Sequence, residues 1–509
     1  MFRQTLRLCF MWLDGSLDQA FGSRWNPMYY LGGLGYFYFW VVAISGVYLY
    51  IFFDTGIPKA YDSVEYLTNE QWWLGGVMRS LHRYASDALM VMMGLHIARL
   101  WAFDRCRGKR WYTWVTGVPL VWLVFVAGVS GYWLVWDKLA QYVAIASTEW
   151  LDFLPIFGEP IARNFLSPKT LDSRFFTLLM FLHIAVPLIM LFLLWFHLQR
   201  VSNARVNPPR GLAVGTMVML LALSFVEPAT SQGIADLATV PAPVKLDWFY
   251  LWPFPLAERW SAAAMWGLAV GGTLLLAAIP WLPPQRKETA AVVDLDNCNG
   301  CTRCAEDCPY SAITMGPRTD GKPFERQAVV DADLCVSCGI CVGSCPTATP
   351  FRRATAPIPG IQLPALTVEE LRSRVEAAAK GLSGDDRVMV FGCDHSNKAD
   401  KFAGAGVAAV SLPCAAMLPP SFIDYVLSRG LADGVAIVGC RDGECYFRFG
   451  VRWTEARING ERDPHLRARV PRERLARVWA APTEWRRLER ELADFRARLR
   501  AMAEKEAAE

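Results

Sequence analysis

Four of the six histidines in this 509-residue chain fall into two pairs of equal spacing, His82 with His96 and His183 with His197, fourteen residues apart in each pair. Each pair sits in an apolar run. Fourteen residues are close to four helical turns, so both members face nearly the same side of their helix, about 21 Å apart at about 1.5 Å per residue. Two such helices face to face would hold two flat, apolar cofactors one above the other, with His82 opposite His183 and His96 opposite His197. Neutral imidazoles so placed are the axial ligands of haem iron. Satisfied core histidines are the plainer alternative, but ionisable groups inside a membrane span are costly and usually functional.

Glycines repeat the interval: Gly32 and Gly46 in the first apolar run, Gly117 and Gly131 in the third. A glycine at each cofactor level lacks the Cβ that would meet a porphyrin edge. Glycine also serves helix packing in membranes, so its register with the histidines is what counts. Arg79 and Arg99, one turn from His82 and His96, are placed to neutralise haem propionates; arginines snorkelling at span ends are the alternative.

Twelve of the fourteen cysteines follow residue 290. Cys298, Cys301, Cys304 and Cys308, then Pro309, recur as Cys335, Cys338, Cys341 and Cys345, then Pro346, offset by thirty-seven residues throughout. This is the two-cluster ferredoxin run, in which three thiolates of one loop grip a cubane and the fourth crosses to the other cluster. The expected groups are Cys298, Cys301, Cys304 with Cys345, and Cys335, Cys338, Cys341 with Cys308, each holding a [4Fe–4S] cluster. Cys393, Cys414 and Cys440 each stand at the C-terminal end of an expected strand, with Cys445 a Gly-containing loop later. Strand ends of an open parallel sheet share one edge where ligands gather. Four thiolates there suit a [2Fe–2S] cluster, with zinc or a redox-active dithiol as alternatives.

The elements that must position these residues divide the chain. Uncharged stretches Tyr29–Phe53, Trp111–Trp136, Phe175–Gln199 and Ser261–Gln285 are long enough to span a bilayer. Leu74–Trp101 carries Arg79, Arg83 and Asp87 and suits a helix buried around haem; Gly211–Val226 completes six. A mean hydropathy of +0.21 averages a greasy N-terminal half and a charged C-terminal half. The net charge of +4 is too small to argue for nucleic acid. Met1–Asp18 reads as a surface amphipathic segment without a cleavage site. The expected fold is multidomain: an all-α transmembrane dihaem bundle of six helices (1–285), an α+β 2[4Fe–4S] domain (286–355), a helical linker (356–385), and a small α/β parallel-sheet iron–sulfur domain with an Arg-rich C-terminal helix (386–509). Arg99, Arg105, Arg107, Lys109 and Arg110, then Arg200, Arg205 and Arg210, then Arg286 and Lys287 lie in connections on one side. The positive-inside rule makes that side cytoplasmic and puts both termini and the iron–sulfur half there. In a reducing compartment cysteines are expected as metal ligands and not as disulfides.

The first 285 residues or so resemble cytochrome b of quinol-oxidising complexes. The likeness rests on the His and Gly pairs, Arg79, Arg99, the segment from Asn26 to Gly33 (NPMYYLGG) and Gly131-Tyr132. It implies two b haems. The photosynthetic type carries a cysteine bound to an extra haem where this chain has Tyr30. The family's Pro-Glu-Trp-Tyr quinol-site signature is replaced by Leu246-Asp247-Trp248-Phe249, so Asp247 is the candidate for quinol proton transfer. The loop Trp136–Phe157 matches the outer quinol-site helix only loosely. Residues 386 to 500 resemble the delta subunit of methyl-viologen-reducing hydrogenase, carried by Gly439-Cys440-Arg441-Asp442-Gly443-Glu444-Cys445-Tyr446, Phe391-Gly392-Cys393 and Leu412-Pro413-Cys414. Ser396 stands where members often have a further cysteine.

Together these imply an electron-transfer subunit of a bacterial or archaeal cytoplasmic membrane. It would link a cytoplasmic oxidoreductase (hydrogenase-, formate dehydrogenase- or heterodisulfide-reductase-like flavoprotein) to quinone; a homodimer is open. Two other classes stand beside it: a haem-bearing anchor with no quinone site of its own, and a disulfide- or sulfur-converting site at Cys393 to Cys445. The chain carries no flavin or nucleotide fingerprint, which counts against independent two-electron catalysis.

Overall fold

The computed structural model describes all residues except 1, 57–58, 157–159, 162–165, 167–170, 200–205, 284–287, 352–356, 398, 405 and 509. The junctions expected at 285–286 and 355–356 lie outside the described residues, as do Arg200, Arg205, Arg286 and Lys287. The described residues form two compact units, one within residues 2–283 and one within residues 288–508.

In the first unit, α1 (Phe2–Phe21) is the expected amphipathic helix. It is followed by α2 (Leu31–Phe52), α3 (Val77–Ala102), α4 (Trp111–Val135), α5 (Lys138–Asp152), α6 (Ser173–Gln199), α7 (Arg210–Val226), α8 (Pro253–Arg259) and α9 (Ala262–Ala278). Four helical stretches, Pro27–Phe52, Trp111–Val135, Ser173–Leu198 and Ala262–Trp281, are long and apolar enough to cross a bilayer. Their large apolar side chains point outward, Ile44, Phe181, Phe192 and Leu274 among them. In water that would be unstable; in lipid it is solvation, since hydrocarbon chains meet these side chains on their own terms. Helix α3 is as long but carries Arg79, Arg83, Asp87 and Arg99, and it packs along α2, while α4 packs along α6. The two histidine-bearing helices, α3 and α6, are thus each backed by a glycine-bearing one.

In the second unit, an antiparallel hairpin, β1 (Ile313–Pro317) with β2 (Arg326–Val330), lies beside a two-residue pairing of Val292–Val293 with Ile361–Gln362. That pairing draws part of the stretch expected as a linker into the ferredoxin-like sheet; α10 (Val368–Ala379) follows, capped by Thr367. The four parallel strands β3 (Val388–Cys393), β4 (Val407–Leu412), β5 (Gly434–Gly439) and β6 (Leu475–Trp479) are ordered β4-β3-β5-β6. Every residue of β3 and β5 is buried, as central parallel strands covered on both faces require. Covering elements are α11 (Pro420–Ser428), α12 (Gly450–Asn459) and α13 (Trp485–Ala508), the last through Leu488, Leu492, Phe495 and Leu499. The helix expected between the first two strands is only a short 3-10 turn, Ala399–Phe402. Strand β6 and helix α12 were not expected, because arginines hide their apolar alternation.

Candidate functional site

The structure brings the rings of His82 and His183 together, centroids 6.3 Å apart and planes tilted by 58°. Two imidazoles bound end-on to one metal at about 2 Å each put their ring centres about 6 Å apart. His96 and His197 are close enough to interact electrostatically. Three of the four rings turn Nδ1 toward an acceptor on a backing helix. His82 Nδ1 lies 3.0 Å from the Val42 carbonyl and 3.3 Å from Ser45 Oγ. His183 Nδ1 is 3.0 Å from Ser130 Oγ, and His197 Nδ1 is 3.2 Å from Thr116 Oγ1. An imidazole whose Nδ1 is engaged in this way presents Nε2 to a metal in a fixed orientation. Two haem groups, one at each level, therefore fit the residues present.

Within the protein, each of the four glycines faces a histidine ring on the neighbouring helix. A Cβ built on Gly46 would stand 3.0 Å from His82 Cε1; on Gly32 it would stand 3.1 Å from His96 Cε1, on Gly131 3.1 Å from His183 Cε1, and on Gly117 3.3 Å from His197 Cε1. They make room for the ring edge of a histidine on the neighbouring helix, and at His82, His183 and His197 this lets Nδ1 reach an acceptor. Three are preceded by a hydroxyl residue, Ser45, Thr116 and Ser130; Leu31 precedes Gly32. That dipeptide signal was present in the sequence and was missed.

The two arginines have carboxylate partners. Arg99 donates two bonds to the buried Asp14 of α1, 2.8 and 2.9 Å, and stacks over Phe10, Tyr29 and Phe103. Arg79 reaches Glu65 (3.5 Å), Ser231 (2.8 Å) and Thr68. Both sit one turn from a histidine, where a propionate would compete with these acids.

Asp247 is held tightly. Its side chain is 2% exposed, Arg83 lies 2.8 Å away, Tyr132 donates to it, and the Phe249 amide donates at 2.8 Å. Arg83 also faces Asp87 at 3.4 Å. Because Arg83 follows His82 and Tyr132 follows Gly131, this charged cluster lies at the His82/His183 level. Arg83 and Asp87 were noted in the sequence only as charges on a helix.

In the second unit the ferredoxin cysteines sort into the two crossed groups. Cys298, Cys301, Cys304 and Cys345 line one cavity with Met315, Ala328, Gly360 and Ile361. Burial, reinforced by the neighbouring thiols Cys345, Cys301 and Cys298, pushes the Cys304 thiol up to about 12. Burial likewise pushes up Cys338, near Cys341, Cys308 and Cys335, and Cys341, near Cys304, Cys335 and Cys308. The loops share a backbone device: Gly300 and Thr302 take φ of +69° and +66°, and Ser337 and Gly339, thirty-seven residues on, take +56° and +75°. A β-branched residue in the left-handed region is strained, and such strain is a mark of a binding loop.

At the C-terminal sheet edge Cys393, Cys414, Cys440 and Cys445 are all buried. Cys393 Sγ and Cys440 Sγ are 4.0 Å apart, and Cys414 pairs with Cys445. A Cβ on Gly450 would collide with Cys414 Sγ and approach Cys445 Sγ to 3.2 Å. Among the described residues no three metal-binding side chains close on a single ion. Cys9 and Cys106 stand apart from these groups.

Residues 17–204 match the cytochrome b/b6/petB family, residues 297–349 the 4Fe-4S dicluster domain, and residues 392–503 the delta subunit of methyl-viologen-reducing hydrogenase. Among solved structures, a chain of a hyperthermophilic respiratory complex III is similar at 21% identity, covering 50% of this chain and 75% of that one, with a TM-score of 0.43. The chain thus joins three redox segments in line, the first carrying apolar helices of an integral membrane protein.

Proposed function

We propose that this membrane electron-transfer subunit links a cytoplasmic oxidoreductase to the quinone pool, through iron–sulfur clusters and two b haems. The observation that carries the reading is the set of imidazoles with engaged Nδ1 atoms against glycines, on one chain with three four-cysteine groups. Haem and clusters, when bound, supply one-electron chemistry. His82, His183, His96 and His197 present Nε2 to iron; Arg79 and Arg99 share themselves between propionates and the acids Glu65 and Asp14. The crossed ferredoxin groups hold two [4Fe–4S] clusters, and Cys393, Cys414, Cys440 and Cys445 a [2Fe–2S] cluster. Asp247 takes or gives the proton of quinone chemistry at the His82/His183 level, with Arg83 orienting its carboxylate.

The loop charges support both termini and the iron–sulfur half on the cytoplasmic side of a bacterial or archaeal membrane. The hydrogenase-delta likeness supports a hydrogenase-, formate dehydrogenase- or heterodisulfide-reductase-like flavoprotein as partner. Electrons crossing from the outer face inward would build membrane potential, and the reverse flow would spend about 2.3 kcal/mol per charge per 100 mV. A second reading, a haem-bearing anchor without its own quinone site, is favoured by one observation. The Asp247 carboxylate is already occupied by Arg83, Tyr132 and Phe249.

The test is purification from native membranes with a short-chain quinol titration. Bis-imidazole b-type spectra that reduce with quinol, and a co-purifying flavoprotein, support the proposal. Haem that is present yet indifferent to quinol leaves the anchor. No porphyrin and no iron would end both.

A further inference from the structure

Within the second unit, the two ferredoxin groups stand in unequal relation to the C-terminal thiols. Cys338 and Cys414 belong to one buried apolar group, together with Ile340, Ala416 and Phe447. The turn Ala415–Met417, directly after Cys414, is seated on the helix that carries Cys341. A Cβ on Gly339 would stand 2.6 Å from Met417 Cγ, and one on Gly343 would collide with the Ala416 carbonyl. One arginine ties this contact. Arg457, 1% exposed, donates to the carbonyls of Ala416 (2.7 Å) and Ile340 (3.3 Å), to Ser344 Oγ (3.1 Å), and to Asp307, the residue before Cys308. The segment after Cys445 grips the other flank. Trp453 Nε1 donates to the Asp307 carbonyl (3.2 Å) and Arg448 to that of Pro309 (2.7 Å). The cavity at Cys298, Cys301, Cys304 and Cys345, in contrast, is lined by residues 298–361 and by none of the C-terminal sheet, although Cys304 and Cys345 share a larger buried cluster with Cys393, Cys440 and Cys445.

We infer that the Cys393/Cys414/Cys440/Cys445 site exchanges electrons with the Cys335/Cys338/Cys341/Cys308 group and not with the Cys298/Cys301/Cys304/Cys345 group, and that Arg457 is the positioning residue of this junction. The inference rests on the proposed cluster content and deepens it by giving the order of the wire: C-terminal site, Cys335 group, Cys298 group. Tunnelling falls steeply with distance, so the turn after Cys414, seated directly on Gly339 and Gly343 of the Cys335–Cys341 loop and helix, sets the route. In each transfer one site is oxidised by one electron and the other is reduced by one. No bond to the protein forms or breaks, and either direction balances.

The test is EPR of the full-length chain in detergent, comparing wild type with Cys298→Ser and Cys335→Ser at stepwise reduction. The wild-type binuclear signal should relax faster once the cubanes become paramagnetic. That enhancement should survive Cys298→Ser and vanish in Cys335→Ser. Loss in Cys298→Ser overturns the order, as does relaxation identical in all three; if Cys335→Ser does not accumulate, Cys298→Ser decides alone. A wild-type chain without any binuclear signal would instead overturn the cluster reading of the C-terminal site, and the inference with it. Arg457→Gln should weaken the enhancement with both cubane signals still present, and Arg457→Lys should restore part of it. An unchanged enhancement in Arg457→Gln removes the arginine from the junction.

Discussion

Arg83 Nη2 lies 2.8 Å from Asp247 Oδ2, joining the residue after His82 to a carboxylate 164 positions later in the chain. The Tyr132 hydroxyl and the Phe249 amide also donate to the same carboxylate. If Asp247 is the proton-transferring group, Asp247→Asn should slow quinol-dependent haem reduction about 100-fold or more, the range of general acid–base catalysis, with haem content unchanged. Stopped-flow absorbance at the b-type band measures this. An unaltered rate would assign the pair a structural role and favour the anchor.

Glycine-to-larger substitutions should remove haems one level at a time. Gly131→Val should push His183 away from its Ser130 acceptor, since even a methyl group would sit 3.1 Å from Cε1. The pyridine hemochrome assay should then find half the wild-type haem, with the His96/His197 level retained. Gly117→Val should do the converse.

The hydroxyl partners should tune potential without loss of haem. An acceptor on Nδ1 raises ligand basicity and stabilises the ferric state. Ser130→Ala should therefore raise the midpoint potential of the His82/His183 haem. Leu31→Ser, which would give His96 the hydroxyl that its three counterparts have, should lower that of the other. Redox-titrated optical spectra decide the signs.

Removing Asp14 should free α1. The Arg99 pair is bidentate and Asp14 is fully buried, so Asp14→Ala leaves a partly buried guanidinium without its counter-charge, at a cost of about 3 kcal/mol. Limited proteolysis should then cut within Phe2–Phe21 several-fold faster. Unchanged cleavage would mean that the apolar face of α1 alone holds it.

The C-terminal helix should be acid-sensitive. Burial alone would raise the Asp386 carboxyl, but hydrogen bonds and charge from Arg496 and Arg500 on α13 outweigh it and hold it below the usual carboxylate range. A depressed carboxyl pKa contributes stability above the unfolded value of about 3.9, and that contribution is lost as pH falls through the lower folded value. Asp433 beside Arg387 adds to the same window. Amide exchange in α13 should be flat from neutral pH to about 5, after correction for intrinsic rates, and should then rise as the carboxyls protonate. Asp386→Asn should abolish most of that rise.

Much of this protein is written locally. Fourteen residues on a rigid helix fix the separation of His82 from His96 whatever surrounds them, and the cysteine runs close their own loops. The spans were legible because lipid-facing helices advertise themselves by being apolar all round. The sheet strands were legible as short apolar runs with cysteines at their ends, except β6, where Arg477 interrupts the pattern.

What tertiary structure alone decided is who meets whom across the chain. Asp14 and Arg99 are 85 residues apart, Tyr132 and Asp247 115, and Asp307 and Arg457 150. No periodicity links such pairs, because each partner obeys only its own helix or turn until packing excludes water and makes an unpaired charge costly. The same holds for the glycines. Their interval was readable, but that they would shelter histidine edges, and so orient Nδ1, follows from the approach of two helices and not from the spacing on either.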